Sequence, residues 1–162
     1  MEIKIGLEKE SYKGSARLLS IVLADETLLY IKTLIYHWNV RGFHFGPLHK
    51  LFKKHYESLA EWIDEVAERI RMLGEFSPGS MKEFLELTRL EEHKGAARSE
   101  KAMLASLLAD HEAVIRNLRV DIELSDDKFK DMGTADFFTG LIRKHEQIAW
   151  MLRVHLEGNE KS

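Results

Sequence analysis

Apolar residues along the chain fall on one helical face in four long stretches and one short one. From Ser11 to His37, Leu18, Ile21, Val22, Leu28, Leu29 and Ile35 recur at three- and four-residue steps, the spacing of one side of an α-helix. Gly42 and Gly46 then interrupt the pattern around Phe43, His44 and Phe45. Pro47 suits the first position of a second helix, where the N–H it lacks would be unpaired anyway. That helix runs to about Leu73 with a stripe of Leu48, Phe52, Leu59, Ile63, Val66 and Ile70, and Gly74 offers a left-handed stop. The connection from Gly74 to Arg98 is long, and Ser80 within it is predicted to cap a short helix holding Met81, Phe84 and Leu85. Ser99 reads as the cap of a third long helix carrying Met103, Leu107, Val114, Leu118 and Ile122. Asp126 to Gly133 reads as a turn, and Thr134 as the cap of a fourth helix that points Phe137, Leu141, Ile148, Met151 and Leu152 inward. There is no strand-like alternation of useful length, no internal repeat and no low-complexity stretch. The pattern predicts an all-α four-helix bundle with a long connection between its second and third helices.

Composition narrows the class. A chain of 162 residues, 44% hydrophobic and 31% charged, is too apolar for a disordered protein and suits one domain over 1–162. Short tails are expected at 1–10 and 157–162. The net charge of −3 argues against a basic clamp for nucleic acid. The absence of cysteine excludes disulfides, thiolate metal sites and cysteine nucleophiles together. The opening MEIKIGLEKE lacks the apolar core of a signal peptide. The most apolar run, Leu18 to Ala24, is stopped by Asp25 and Glu26, far short of a membrane span. A soluble cytoplasmic protein is the expectation.

The candidate chemistry sits at the end of the first helix and along the second. His37 is followed twelve residues later by His49, and Glu61, Asp64, Glu65 and Glu68 form an acidic stripe with Asp64 and Glu68 one turn apart. Imidazole and carboxylate together suit iron, zinc or manganese. Asp64 and Glu68 lie 15 and 19 residues beyond His49, which is roughly 22 and 28 Å along one helix. They cannot share an ion with His49 within one straight helix. Two copies packed antiparallel about a two-fold axis bring them together. The usual intra-bundle di-iron site needs Glu-x-x-His pairs, and no histidine here has a glutamate three residues before it. A metal site built from these residues therefore spans subunits or does not exist. The other histidines, His44, His55, His93, His111, His145 and His155, share no spacing and read as surface or packing residues, and Trp62 and Trp150 as core or interface fillers.

The run HWNVRGFHFGPLH, then DEVAERIRMLG from Asp64 to Gly74, and the later GTADFF and AWML, resemble the Dps family, the DNA-binding proteins from starved cells, also called mini-ferritins. The resemblance covers nearly the whole chain from the first helix onward. It implies a ferritin-like four-helix bundle, with a short extra helix in the long connection, assembled into a dodecameric hollow shell. It further implies that ferrous iron is oxidised between two-fold-related subunits, preferably with hydrogen peroxide, and stored as a ferric mineral. His37 and His49 would come from one subunit, Asp64 and Glu68 from its partner, forming the ferroxidase and metal site together. Zinc suits such a set as readily as iron. Trp38, beside a ligand, would pass an electron, quench a radical, or simply pack at the dimer contact.

Three lysines depart from the family pattern. Family members often carry an acid four positions after the second histidine, where this chain has Lys53, and Lys50 and Lys54 extend the patch beside His49. At a few ångströms and an effective dielectric near 20, each such charge opposes a nearby ferrous ion by on the order of several kcal/mol. Either Lys53 pairs with Asp64 or Glu68 across the dimer contact, or one stronger iron site survives and the second is weak. The four matching ligand positions favour the latter. The alternative function is a structural or nucleoid-protecting shell with a vestigial site. Asp126, Asp127 and Asp131 stand where the family lines its three-fold pores, although three acids in a turn are more often solvated cap and turn residues. Lys4, Lys9 and Lys13 are offset by Glu2, Glu8 and Glu10, so DNA binding is expected to be weak or absent.

Overall fold

Thirty-one residues without a proline form one helix, α1 (Lys9–Asn39). Val40 is extended and ends it, and α2 (Phe45–Met72) returns after a short loop. Pro47 is the third residue of α2 rather than the first, still within the turn whose N–H groups have no partner inside the helix. Leu73 closes α2, and Gly74 follows with φ of +81°, the left-handed conformation a glycine adopts without penalty. In the crossover, Ser80 caps α3 (Met81–Leu87) through a complete capping box with Glu83. Ser99 caps α4 (Glu100–Glu123) by accepting from the Ala102 N–H at 3.2 Å. The computed structural model describes residues 3–95 and 99–157, and among the described residues there is no strand. The architecture is the all-helical bundle with a short crossover helix that the periodicity predicts.

The final junction differs from its sequence reading. Leu124–Lys128 form a π-helical turn that prolongs α4 instead of a loop beginning at Asp126. Phe129 then lies against α1 at Gly14, where any Cβ would overlap its ring. The cap of α5 (Met132–Glu157) is Asp131, not Thr134: the Asp131 carboxylate accepts from the Thr134 N–H at 3.0 Å and from its hydroxyl at 2.6 Å. Arg69 of α2 donates to the same carboxylate at 3.3 Å. Burial works to raise the Asp131 pKa, but the bonds from Thr134 and the Arg69 charge hold it below the usual carboxylate range. Asp131 is thus a buried capping residue, while Asp126 and Asp127 stay exposed.

Helix α1 packs along α2, α4 along α5, and α3 lies on α1. Phe52, Phe138, Leu19, Leu29, Leu59, Leu107, Leu118 and Leu152 are fully buried between them. Trp62 joins this core, whereas Trp150 is 60% exposed on the chain's surface. Arg89, just after α3, ties the crossover to both helix pairs. Its guanidinium meets Asp25 of α1 at 2.8 Å and Asp121 of α4 at 2.8 Å. Asp25 also accepts from the Arg89 N–H at 2.6 Å and the Thr88 hydroxyl at 2.9 Å. Burial raises the Asp121 pKa against the pull of Arg89, and Asp25 adds to the rise.

Glu26, His55, His111 and His145, one from each long helix, are also no more than 1% exposed. The three histidines read from sequence as surface or packing residues are core residues, and two have strongly perturbed chemistry. Burial, with repulsion from Lys54 and His155, lowers His55 to about 4. Burial and the neighbouring His145 and His55 hold His111 well below the ordinary imidazole value. Between pH 6.5 and about 4 the unfolded chain binds a proton at His55 and the folded chain does not, so folding stability falls as pH falls through that window. His55 alone accounts for on the order of 3 kcal/mol, and His111 acts in the same direction. Urea midpoints measured from pH 7 to pH 4 should decline, and His55→Phe should flatten the decline. An equal slope in the variant would contradict this assignment.

Candidate metal centre

The last turn of α1 and the first turns of α2 put His37 and His49 face to face. Their ring centres are 3.8 Å apart with planes 23° from parallel. Each ring is fixed by the other residue's backbone. His37 Nδ1 lies 2.8 Å from the His49 carbonyl oxygen, and His49 Nδ1 lies 2.9 Å from the His37 carbonyl oxygen. A carbonyl only accepts, so both Nδ1 atoms carry the hydrogen and donate. In the neutral ring this leaves each Nε2 with its lone pair, the form in which imidazole binds a metal. Stacking sets the orientation further: Phe45 lies on His49 at 5.1 Å, and Tyr56 meets His37 edge-on at 5.2 Å. His37 is buried and His49 half-buried in the chain.

Asp64 and Glu68 do not join this pair within the chain. They are exposed on the continuous helix α2, with their separations from His49 intact. Among the described residues neither has a cation within salt-bridge distance, whereas the neighbouring Glu65 pairs with Lys144 at 2.6 Å. Among the described residues no three histidine, aspartate or glutamate side chains gather in metal-binding geometry. Lys53 pairs with Glu57, one turn further along the same helix, at 3.7 Å, both about half exposed. Trp38 is 66% and Phe43 is 96% exposed, flanking the histidine pair with uncovered aromatic surface.

Sequence reasoning missed Phe45 and Tyr56. Both were visible as aromatics at the loop and one turn beyond Phe52, but nothing in their spacing tied them to an imidazole. It also missed Glu26, His55, His111 and His145. Their signal is one of phase: each stands three or four residues from core positions on either side, Glu26 between Val22 and Leu29, His55 between Phe52 and Leu59. His111 between Leu107 and Val114, and His145 between Leu141 and Ile148, repeat the pattern.

The comparisons agree with this architecture. A family model described as a ferritin-like domain matches residues 16–161. A low-temperature-induced protein of Nostoc sp. (strain PCC 7120) is 52% identical over 156 residues, covering 96% of this chain and 87% of the relative. The DNA protection during starvation protein 2 of Bacillus anthracis is 35% identical over 146 residues, 89% of this chain and 97% of that protein. Among solved structures, DpsC from Streptomyces coelicolor aligns with a TM-score of 0.92 at 30% identity, over 96% of this chain and 91% of that one. A Dps protein from Vibrio cholerae O1, described as a member of a broad superfamily of ferritin-like diiron-carboxylate proteins, aligns at 0.88 with 29% identity, over 96% and 98%. The bundle is a ferritin-like domain. Within that class the chain belongs to the Dps family, whose membership implies iron binding, storage and protection. No described helix is long and apolar enough to cross a membrane.

The geometry of the histidine pair has a spectroscopic consequence. In 15N spectra of histidine-labelled protein, His37 and His49 should both show a protonated Nδ1. A bare Nδ1 in either residue would contradict the reciprocal bonding.

Proposed function

We propose that the chain is the subunit of a cytoplasmic cage, a dodecamer, that oxidises ferrous iron and stores the ferric product. Its iron site lies between two-fold-related subunits, with His37 and His49 from one and Asp64 and Glu68 of the partner subunit. The observation that carries this reading is the reciprocal bonding of His37 and His49, which aims two imidazole lone pairs from one chain and supplies no carboxylate to go with them. An incomplete ligand set beside exposed Trp38 and Phe43 suits completion by a second copy. The two carboxylates supply the hard oxygen donors that ferrous and ferric ions favour, and their charge offsets the ion's.

Hydrogen peroxide is the proposed oxidant. Two ferrous ions each give one electron, the O–O bond breaks, and two protons complete two water molecules. Because both electrons arrive at one peroxide, no hydroxyl radical is released, and the cell is spared oxidative damage. The exposed Lys50, Lys53 and Lys54 favour the other reading, a structural or nucleoid-protecting shell with a vestigial site. The Lys53–Glu57 pair weakens that objection, since Glu57 partly offsets the nearest ammonium.

Anaerobic titration of the iron-free protein with ferrous iron, followed by peroxide, separates the two. Saturable binding, rapid oxidation and a soluble ferric core are expected, with His37→Ala and Glu68→Ala each slowing oxidation at least about tenfold. Oxidation unchanged in both variants would leave only the vestigial shell. DNA affinity should be weak, because each subunit carries a net charge of −3 and phosphate repels a shell of that sign. A gel shift at moderate salt showing tight complexes would overturn this part of the reading.

A further inference from the structure

The four polar residues inside the bundle form a directed chain that stops at an unused lone pair. Glu26 Oε1 lies 2.7 Å from His145 Nε2, and His145 Nδ1 lies 2.8 Å from His111 Nδ1. With the Glu26 carboxylate accepting from Nε2, a neutral His145 ring presents a bare Nδ1. His111 must then donate from Nδ1, which leaves its Nε2 bare. That atom is fully buried and has no hydrogen-bond partner among the described residues, and neither do both ring nitrogens of His55 and Glu26 Oε2. A carboxylate behind an imidazole is the arrangement that fixes a ligand's tautomer and raises its basicity toward a metal. Here the backing runs through two imidazoles to His111.

Across from it, the His55 ring centre is 6.5 Å from that of His111, with planes at 76°. Two metal–imidazole bonds of about 2 Å each, end to end, separate ring centres by roughly 6 Å. The spacing therefore admits one ion held between two imidazoles on opposite sides, without the third ligand that the described residues do not gather. Charge narrows the ion further. Glu26 is the cluster's single carboxylate, so a monovalent ion leaves the buried group neutral, whereas a divalent one leaves an uncompensated charge in the core. We propose that His55 and His111 form a metal site within each bundle, distinct from the one at His37 and His49, that takes a monovalent d10 ion of the cuprous type. Imidazole suits copper, and the chain has no cysteine to compete for it.

Buried leucines close the site off from a groove at the end of the bundle. An open groove of about 360 Å³ at one end of the bundle is lined by Leu48 and Leu104, together with His44, Glu100 and His155. Leu48 and Leu104 each stand seven residues from His55 and His111 on the same helices, about 10 Å away.

Silver(I) is an air-stable probe of the same charge and preference. Iron-free protein incubated with limiting Ag+ and passed through gel filtration should retain one more silver per chain in the wild type than in His55→Phe. An anomalous difference map from wild-type crystals soaked in Ag+ should place a peak between the His55 and His111 rings. Equal silver in His55→Phe, or a map with silver only at methionines or at His37 and His49, would overturn the proposal. The map decides alone if the variant fails to fold. His37→Ala should keep the internal silver while losing iron oxidation, and His55→Phe should oxidise iron normally, so either site can fail without the other.

Discussion

One guanidinium fastens the two halves of the bundle. Asp25 on α1 and Asp121 on α4 are buried carboxylates on different helix pairs, and Arg89 in the crossover is the cation that meets both. Removing a single partner of such a set leaves charge uncompensated in the interior, which is costlier than losing a surface pair. The long connection is therefore a structural strut. Because it holds α1 against α4, the α1–α2 corner that carries His37 and His49 has a fixed position relative to α5, and the interior residues of all four helices meet at one level.

Helical rise then divides the chemistry. Continuous α2 carries His49 at one end and Asp64 and Glu68 well along its length, so the chain has imidazoles at one place and oxygen donors at another. The interior repeats the theme with opposite emphasis, gathering three imidazoles and one carboxylate where water does not reach. The outer pair sits beside exposed aromatic and lysine surface; the inner set is sealed.

Most of the helical architecture was legible in the sequence because apolar periodicity is a local signal. The capping roles of Ser80 and Ser99, and the left-handed Gly74, were legible for the same reason. Thr134 misled because a threonine before an apolar stripe resembles a cap, while the neighbouring Asp131 reads as a pore, turn or solvated cap residue and is a buried cap instead. The π-helical turn at Leu124–Lys128 prolongs α4 through residues whose composition reads as a loop. His37 and His49 stood out as candidates through their place in the HWN and LH segments, and the structure stacks their rings. Their mutual backbone bonds were not legible, since these depend on how a loop closes. Arg89 and the internal histidines lay beyond reach because their partners are 32 to 119 residues away, and long-range pairing leaves no periodic trace.

The reciprocal bonds between His37 and His49 carry a thermodynamic consequence. Two flexible rings normally lose rotational freedom at the moment a ligand arrives, and that loss weakens binding. Here each ring is locked by the other residue's carbonyl and by stacking as soon as the loop between α1 and α2 closes. The ordering cost is met during folding and shared with the hydrogen bonds that close the corner. An ion reaching this pair encounters donors already immobilised, so more of its interaction energy is retained as affinity.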